Sequence, residues 1–293
     1  MWVLFALMAS IVNAIYYIGN QNIRLQPSVF MIYRGIVVAL MAFPFLFFYD
    51  VIGAWQFYVI AVFQGCITAY NDFATLKANR KYGAETVNSI TPMNVGLIFM
   101  IWCLIEPVIL LKYLESPIKS IMIVLSMCGI VFALMQYRKV KMTKEAFVYL
   151  LPIMFLGAMI SIFNKTIMAY AADSLYGLCF WRIFVSSLTV GIIHIVVYAT
   201  RKRPFKVLFE KENLIRVWIF IFMPISMLCR NMAMFGAENP SYVTSIVQTS
   251  LLWIMFFNRY VNFIEFKKVC MKMEKKWAFL MLVSVIVLIL ATN

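Results

Sequence analysis

Four charged residues lie inside long apolar stretches of the sequence: Arg34, Asp72, Arg182 and Arg230. A charge at the depth of the lipid tails costs about 2.5–3.5 kcal/mol on insertion scales, so each of these residues indicates a structural or functional need. A guanidinium binds carboxylate and phosphate groups through paired hydrogen bonds. We therefore take Arg34 and Arg182 as candidates for binding an anionic substrate group. In a purely structural role, both would instead anchor helix ends.

Asp72 and Arg230 are candidates for an ion pair, because they have opposite charges and lie in the third and eighth apolar stretches. Two such charges neutralise each other in a low-dielectric interior, where removing one partner is expensive. The pair has two interpretations. It is either a static structural bridge or a gate that moves during transport.

Polar side chains recur at helical spacing in two further apolar stretches. Asn88 and Thr91 are three residues apart, and Gln248 follows Thr244 by four, so each pair shares one helix face. Hydrogen bonds between helices explain such faces, but a polar site in the middle of a membrane requires them too. The candidates for lining such a site are Asn88, Thr91 and Gln248, with Trp181 and Trp253 as its walls.

The composition indicates that membrane-spanning helices hold these residues. Of the 293 residues, 64% are hydrophobic and 13% charged, which leaves too little polar surface to cover a soluble protein. The net charge of +14 arises from short basic runs between apolar stretches, as in loops beside an anionic membrane surface, and not from a nucleic-acid-binding surface. The six cysteines are scattered singly, so we expect no disulfide framework, metal site or cofactor.

Ten stretches approach the 20 or so mainly apolar residues that a transmembrane helix needs. They lie at about 2–20, 28–49, 56–78, 84–111, 117–137, 146–171, 175–199, 214–237, 241–264 and 277–292. The first is uncharged and leads directly into the second, so we interpret it as a helix of the mature protein and not a signal peptide. The predicted fold is an all-α polytopic membrane protein.

The two halves of the sequence match each other in order. Asn71-Asp72 aligns with Arg230-Asn231, and Ile105-Glu106 with Ile264-Glu265, at a common offset of 159 residues, while Tyr33-Arg34 aligns with Trp181-Arg182. These matches predict two five-helix repeats, residues 1–140 and 141–293. Because five is odd, the repeats must be inverted, an arrangement that secondary transporters use to build a substrate site at the repeat interface. We expect the cavity where helices 3, 4, 8 and 9 meet.

Several motifs resemble the ten-helix EamA-like members of the drug/metabolite transporter superfamily. They are the arginines at 34 and 182, the run YGAETVNSITP that ends at Pro92, and the glutamate Glu106 with its counterpart Glu265. The resemblance covers the whole chain, although Ile105 replaces a usual glycine and the second half lacks a match for Pro92. It implies ten helices around a central cavity that moves small solutes by alternating access.

The basic residues predict an orientation. Nineteen lysines and arginines belong to one set of loops and two, Lys112 and Lys119, to the other. The positive-inside rule then places both termini away from the cytoplasm. The resemblance implies the reverse, because both termini of EamA-like transporters are more often cytoplasmic.

These features predict a secondary transporter, in the bilayer of a bacterial inner membrane, that moves a small metabolite with a carboxylate or phosphate group, such as an amino acid. A coupling ion or an exchanged solute is a further partner. The alternatives are efflux of drugs or aromatic cations and a non-transporting scaffold or receptor. An enzyme is not expected, because the sequence has only one histidine and contains neither a nucleophile–base motif nor a metal-binding motif.

Overall fold

The apolar stretches of the sequence fold as helices, and no strand occurs in the described residues. The computed structural model describes residues 1–20, 25–82, 87, 92–137, 143–171, 174–210, 213–214, 216–260 and 275–292. The α-helices are α1 (Trp2–Asn20), α2 (Pro27–Ala42), α3 (Trp55–Tyr82), α4 (Met93–Ile105), α5 (Pro107–Glu115), α6 (Pro117–Tyr137), α7 (Lys144–Ile167), α8 (Leu175–Thr200), α9 (Phe222–Gly236), α10 (Pro240–Val247), α11 (Ser250–Tyr260) and α12 (Lys275–Thr292). Short 3₁₀ helices cover Phe43–Phe48, Met168–Tyr170, Phe205–Phe209 and Arg216–Ile221.

The residues at the helix boundaries explain where several helices begin. Helices α2, α5, α6 and α10 begin with a proline, whose missing N–H is no loss in the first helical turn. The Thr143 hydroxyl accepts a hydrogen bond from the Ala146 amide (3.2 Å) at the start of α7. The Ser174 hydroxyl accepts one from the Gly177 amide (3.1 Å) at the start of α8. Both caps satisfy amides that have no partner within the helix.

The fourth predicted span is bent. Within the stretch predicted at 84–111, α4 and α5 meet at an angle of 102° around Glu106. Pro107 provides the physical reason, because a proline disfavours helical backbone at the preceding residue, and Glu106 has φ −117° and ψ 77°. The prediction of a single continuous helix here was wrong. Most of its first part, residues 84–86 and 88–91, lies outside the described residues.

The ninth predicted span is also broken. Helices α10 and α11 are separated at Gln248 and Thr249. The Thr249 hydroxyl donates to the Ile246 carbonyl (2.6 Å) and is therefore free to accept from the Ser10 hydroxyl (2.8 Å) in α1. This side-chain bond to the backbone competes with the regular helical pattern at the break. The end of the stretch, residues 261–264, lies outside the described residues.

The protein is an all-α membrane protein. In the described residues, seven helices are long and apolar enough to cross a membrane, and up to eight if the bent pair α4–α5 counts as one span. Helix α3 is 28 residues long but is not one of these seven, because it carries polar side chains along much of its length. Helices α10 and α11 are too short to cross singly.

Helices α2 and α8 pack backbone to backbone at two glycines. A Cβ atom added to Gly35 would lie 2.3 Å from the amide nitrogen and 2.5 Å from the Cα atom of Gly191. Small residues allow this approach, which brings van der Waals contact in a membrane where apolar side chains gain little by leaving lipid. The other extensive helix pairs are α1 with α9, α6 with α12, and α3 with both α7 and α8.

Candidate binding cavity

A cavity of about 520 Å³ lies between α1, α2, α3, α7, α8 and α9. Its lining combines apolar side chains with an unusual number of polar ones. The charged and amide residues that line it are Asn13, Arg34, Asn71, Asp72, Asn79, Asn94, Asn164, Arg182, Arg230 and Asn231. Cavities of this size hold small-molecule ligands, and their few placed polar groups orient the ligand.

Arg182 is held from three sides. Its Nε donates to Gln64 Oε1 (3.2 Å), its Nη1 to Asn231 Oδ1, and its Nη2 to Asn164 Oδ1. These partners come from α3, α9 and α7, and each is a neutral amide. The guanidinium is buried, with 4% of the residue exposed. Its position is therefore fixed, but its positive charge is not neutralised.

Arg34 and Asp72 form an ion pair that joins α2 to α3, through Nη1 and Oδ2. Both side chains remain partly accessible, at 20% and 25%. The predicted pair between Asp72 and Arg230 was wrong, because Asp72 is paired with Arg34. The alignment of the repeats correctly put Asp72 and Arg230 on the same cavity. It could not decide which of the two arginines, Arg34 or Arg230, pairs with Asp72.

Arg230 has few partners for a half-buried arginine in an apolar helix bundle. Its Nη2 donates to the Ser161 hydroxyl (2.9 Å) on α7, and its Nε has no partner among the described residues. No carboxylate other than Asp72 lines the cavity in the described part of the chain. Three positive charges therefore face one negative charge, and two remain unbalanced.

Several amides around the arginines also have unused hydrogen-bonding atoms. The Oδ1 atoms of Asn71, Asn79 and Asn94 and the Nδ2 atom of Asn231 are buried without a partner among the described residues. A buried polar atom without a partner is costly, so such atoms are rare in folded proteins. Their concentration around one cavity indicates that it receives a polar ligand or water.

Side-chain contacts identify the helix ends that lie at one face of the bundle. Lys81 Nζ on α3 pairs with Glu145 Oε1 on α7 (2.9 Å), and Arg203 Nη1 after α8 donates to Gln26 Oε1 before α2 (2.8 Å). We call this the basic face, after its residues Lys77, Arg80, Lys81, Lys144, Arg201, Lys202, Arg203 and Lys206. The cavity reaches toward it, since Asn79 and Leu150 are lining residues close to these ends.

The opposite face is closed by contacts between helix ends. Lys112 Nζ pairs with Glu238 Oε1 (2.9 Å), and Trp181 Nε1 donates to the Asp50 carbonyl (3.0 Å). The rings of Phe45 and Phe180 stack there, with centroids 4.4 Å apart. We call it the acidic face, after its exposed residues Asp50, Glu106, Glu115 and Glu238.

The predicted site residues are only partly brought together. Arg34, Arg182, Asp72 and Arg230 line the cavity. Asn88 and Thr91 lie outside the described residues. Trp181, Gln248 and Trp253 are not among its lining residues, and their assignment to a binding site stays a prediction.

Each of these three residues has another place in the fold. Trp181 faces the contacts of the acidic face. Gln248 lies at the break between α10 and α11, and Trp253 packs against Phe256. The ninth span packs against α1 instead of opening onto the cavity. Helices 1 and 6 contribute lining that we had not predicted.

The prediction missed Asn13, Gln64 and Asn231. Each is a polar residue within a predicted membrane span, as Arg34 and Asp72 are. Asn231 also aligns with Asp72 in the repeat. The amides were missed because uncharged polar residues are common in transmembrane helices and do not indicate which helix face they occupy.

The cavity is thus the candidate binding site of the protein. A comparison with protein-family models and with curated proteins found no match for the chain.

Proposed function

We propose that the protein is a secondary transporter that moves a small solute with a carboxylate or phosphate group through the central cavity. The supporting observation is the pair of guanidiniums, buried at Arg182 and half-buried at Arg230, that face this cavity without an acidic partner among the described residues. A buried unpaired charge is expensive, and an anionic ligand would offset that cost. Neutralisation of these positive charges would therefore favour binding of an anion in the cavity.

The proposal includes ten spans in two inverted five-helix repeats, as in the EamA-like transporters that the sequence resembles. The helix packing supports it, since the most extensive contacts between spans have counterparts five spans later. Helix α1 packs on α9 as α7 packs on α3, and α1 packs on α10 and α11 as α7 packs on α4. The pairs α2–α8 and α6–α12 are each their own counterpart. A twofold relation between the halves accounts for this pattern.

Alternating access fits the arrangement of the two faces. The cavity reaches toward the basic face, while ion-pair, aromatic and backbone contacts join the helix ends at the acidic face. In the proposed cycle, the solute enters between the basic helix ends, and the acidic face opens when these contacts break. Under the positive-inside rule the basic face is cytoplasmic, which leaves both termini on the other side. The bacterial inner membrane remains part of this proposal.

Efflux of aromatic cations is the weaker alternative. Tyr16, Tyr17 and Phe30 line one side of the cavity and could stack with an aromatic solute. A cation, however, would enter a cavity whose described lining already has two excess positive charges. Charge repulsion in a low-dielectric interior therefore favours the anion.

Counterflow in proteoliposomes tests the function. Proteoliposomes that contain the purified protein are loaded with unlabelled amino acids, dicarboxylates or sugar phosphates. Uptake of the same labelled solute is then measured, and a panel of cationic drugs is tested in the same way. We expect saturable exchange for at least one anion and none for the cations. The variant Arg230→Gln should abolish it, while Lys119→Ala, which removes an exposed charge on α6, should not. Exchange of cations only, or of nothing, would contradict the proposal.

A further inference from the structure

The two unbalanced arginines of the cavity use their nitrogens differently. Each of the three Arg182 nitrogens already donates to an amide oxygen of the protein. Arg230 has a described bond only from Nη2, to the Ser161 hydroxyl, and its Nε is buried without a partner among the described residues. Arg182 is therefore held in a fixed position by three of its five N–H groups. Arg230 still has a donor to offer a ligand.

The excess charge indicates the valence of that ligand. Because Asp72 is paired with Arg34, a single carboxylate would neutralise one of the two remaining guanidiniums of the described lining and leave the other unbalanced. A group with two negative charges neutralises both. A phosphate monoester carries −1.5 to −2 near neutral pH and has three acceptor oxygens, so it can bind one guanidinium and lie in the field of a second.

The unused amide atoms indicate the rest of the ligand. Asn71, Asn79, Asn94 and Asn231 each present an unpaired amide atom, and the oxygen and nitrogen of such a group are distinguished only by their partners. A hydroxyl group both donates and accepts, so it satisfies either end of an amide. Several hydroxyls would satisfy several of these atoms together.

Resting on the proposed transport function, we propose that the cavity binds a phosphate monoester of a polyhydroxy compound. Arg230 binds the phosphate oxygens, Arg182 stabilises the second charge from its fixed position, and the asparagines bind the hydroxyls. The charges of Arg34 and Asp72 already neutralise each other, so this pair is not needed for the phosphate.

A matched set of six-carbon probes tests the valence. Sorbitol 6-phosphate, gluconate and sorbitol share a linear polyhydroxy chain and carry two, one and no negative charges. Binding to the purified full-length protein is measured by calorimetry, with malate as a compact dicarboxylate. We expect the phosphate to bind at least tenfold tighter than gluconate and malate, and sorbitol not to bind detectably. Equal or tighter binding of gluconate or malate would overturn the proposal, as would no binding of the phosphate.

Variants test the assignment of Arg230. Arg230→Gln should lower the affinity for sorbitol 6-phosphate at least thirtyfold and remove the preference over gluconate. Arg230→Lys should retain part of the affinity for sorbitol 6-phosphate, because lysine keeps the positive charge but lacks the planar guanidinium group. Ser161→Ala is the matched control, since it removes only the partner of Arg230 and should leave phosphate binding unchanged or tighter. A monodisperse gel-filtration peak and an unchanged helical spectrum show that each variant is folded.

The outcomes separate this proposal from the transport function. Saturable exchange of another anion with no preference for the phosphate rejects the phosphate ester and keeps the transporter. Binding of the phosphate with no exchange of any solute rejects the transporter. If Arg230→Gln is folded and keeps the phosphate preference, the assignment of Arg230 is wrong.

Discussion

Arg182 and Arg230 differ in how many side chains hold them in place. Arg182 has three amide partners. A substitution there would leave the side-chain oxygens of Gln64 and Asn231 without a described partner, while Asn164 Oδ1 would keep the hydrogen bond from Gln64 Nε2. Loss of function at Arg182 is then inseparable from loss of structure. Arg230, with one hydroxyl partner, is the better residue for testing function.

The pair Arg34–Asp72 can be tested by a double-mutant cycle. Asp72→Asn leaves Arg34 partly buried without its partner and raises the excess positive charge of the cavity. We expect each of Asp72→Asn and Arg34→Gln to lower stability, and the double variant to lose less than their sum, with a coupling of about 1–3 kcal/mol. Thermal unfolding in detergent measures it. Additive losses would mean that the ion pair contributes nothing to the fold.

The same variants address the gate hypothesis. If the pair moves during transport, Asp72→Asn abolishes exchange while folded protein remains in the membrane. If it is a static bridge, exchange falls only as far as stability does. The pairing of Asp72 with Arg34 moves this hypothesis from helices 3 and 8 to helices 2 and 3.

Lys165 is a structural residue near the acidic face. Its Nζ donates to the carbonyls of Met234 (2.9 Å), Phe235 (3.3 Å) and Ala237 (2.6 Å), at the end of α9. A cation at a helix C-terminus satisfies carbonyls that have no partner within the helix. Lys165→Met should therefore destabilise the protein by about 1–3 kcal/mol. Lys119→Met, at an exposed site on α6, is the control and should leave the unfolding temperature unchanged.

At the scale of elements, the hydropathy of the sequence was a good guide to position. The predicted spans at 2–20, 117–137 and 175–199 agree with α1, α6 and α8 within about one residue at either end. The length of an apolar stretch determines whether it can cross a bilayer, and this length can be read directly from the sequence. The bend at Glu106 could have been predicted from Pro107.

The rotation of each helix about its own axis was not predictable in the same way. In a membrane protein the lipid-facing and the buried faces of a helix are both apolar, so hydropathy does not distinguish them. That is why Gln248 and Trp253 were assigned to the cavity although α10 and α11 pack against α1. Arg34 and Asp72 were placed correctly because charge, unlike amide polarity, is strongly excluded from the lipid face.

The contact of α2 with α8 gives a prediction with an internal control. Gly35→Ala would put a Cβ atom 2.3 Å from the backbone of Gly191, so the helices must separate. We expect a loss of about 1–3 kcal/mol, seen as a lower unfolding temperature. Gly96→Ala in α4 has no heavy atom within 4 Å of the new Cβ and should leave stability unchanged or slightly higher. Equal effects of the two substitutions would contradict this packing.

At the scale of the whole molecule, the contacts of the acidic face control the proposed second conformation. The pair Lys112–Glu238 is more than half exposed, so it holds the acidic face together only weakly. Glu238→Lys replaces this attraction with repulsion and should raise the population that is open at the acidic face. The measurement is the labelling rate of a cysteine at Ser186, in a background without exposed cysteines, by an impermeant thiol reagent from that side.

The charge swap is the control for this variant. Lys112→Glu combined with Glu238→Lys restores a pair of the same geometry and should return the labelling rate toward that of the parent protein. An identical rate in all three proteins would mean that this pair does not hold the acidic face closed.

The two faces also give the proposed transporter unequal encounter rates with an anionic solute. Lysines and arginines surround the mouth of the cavity on one side, while Asp50, Glu106, Glu115 and Glu238 are exposed on the other. Such fields extend about 8 Å at physiological ionic strength, which covers the approach to the mouth. They accelerate capture on the basic side and slow it on the acidic side, without changing the equilibrium distribution across the membrane. Half-saturation should therefore require less solute on the basic side, and added salt should reduce this difference.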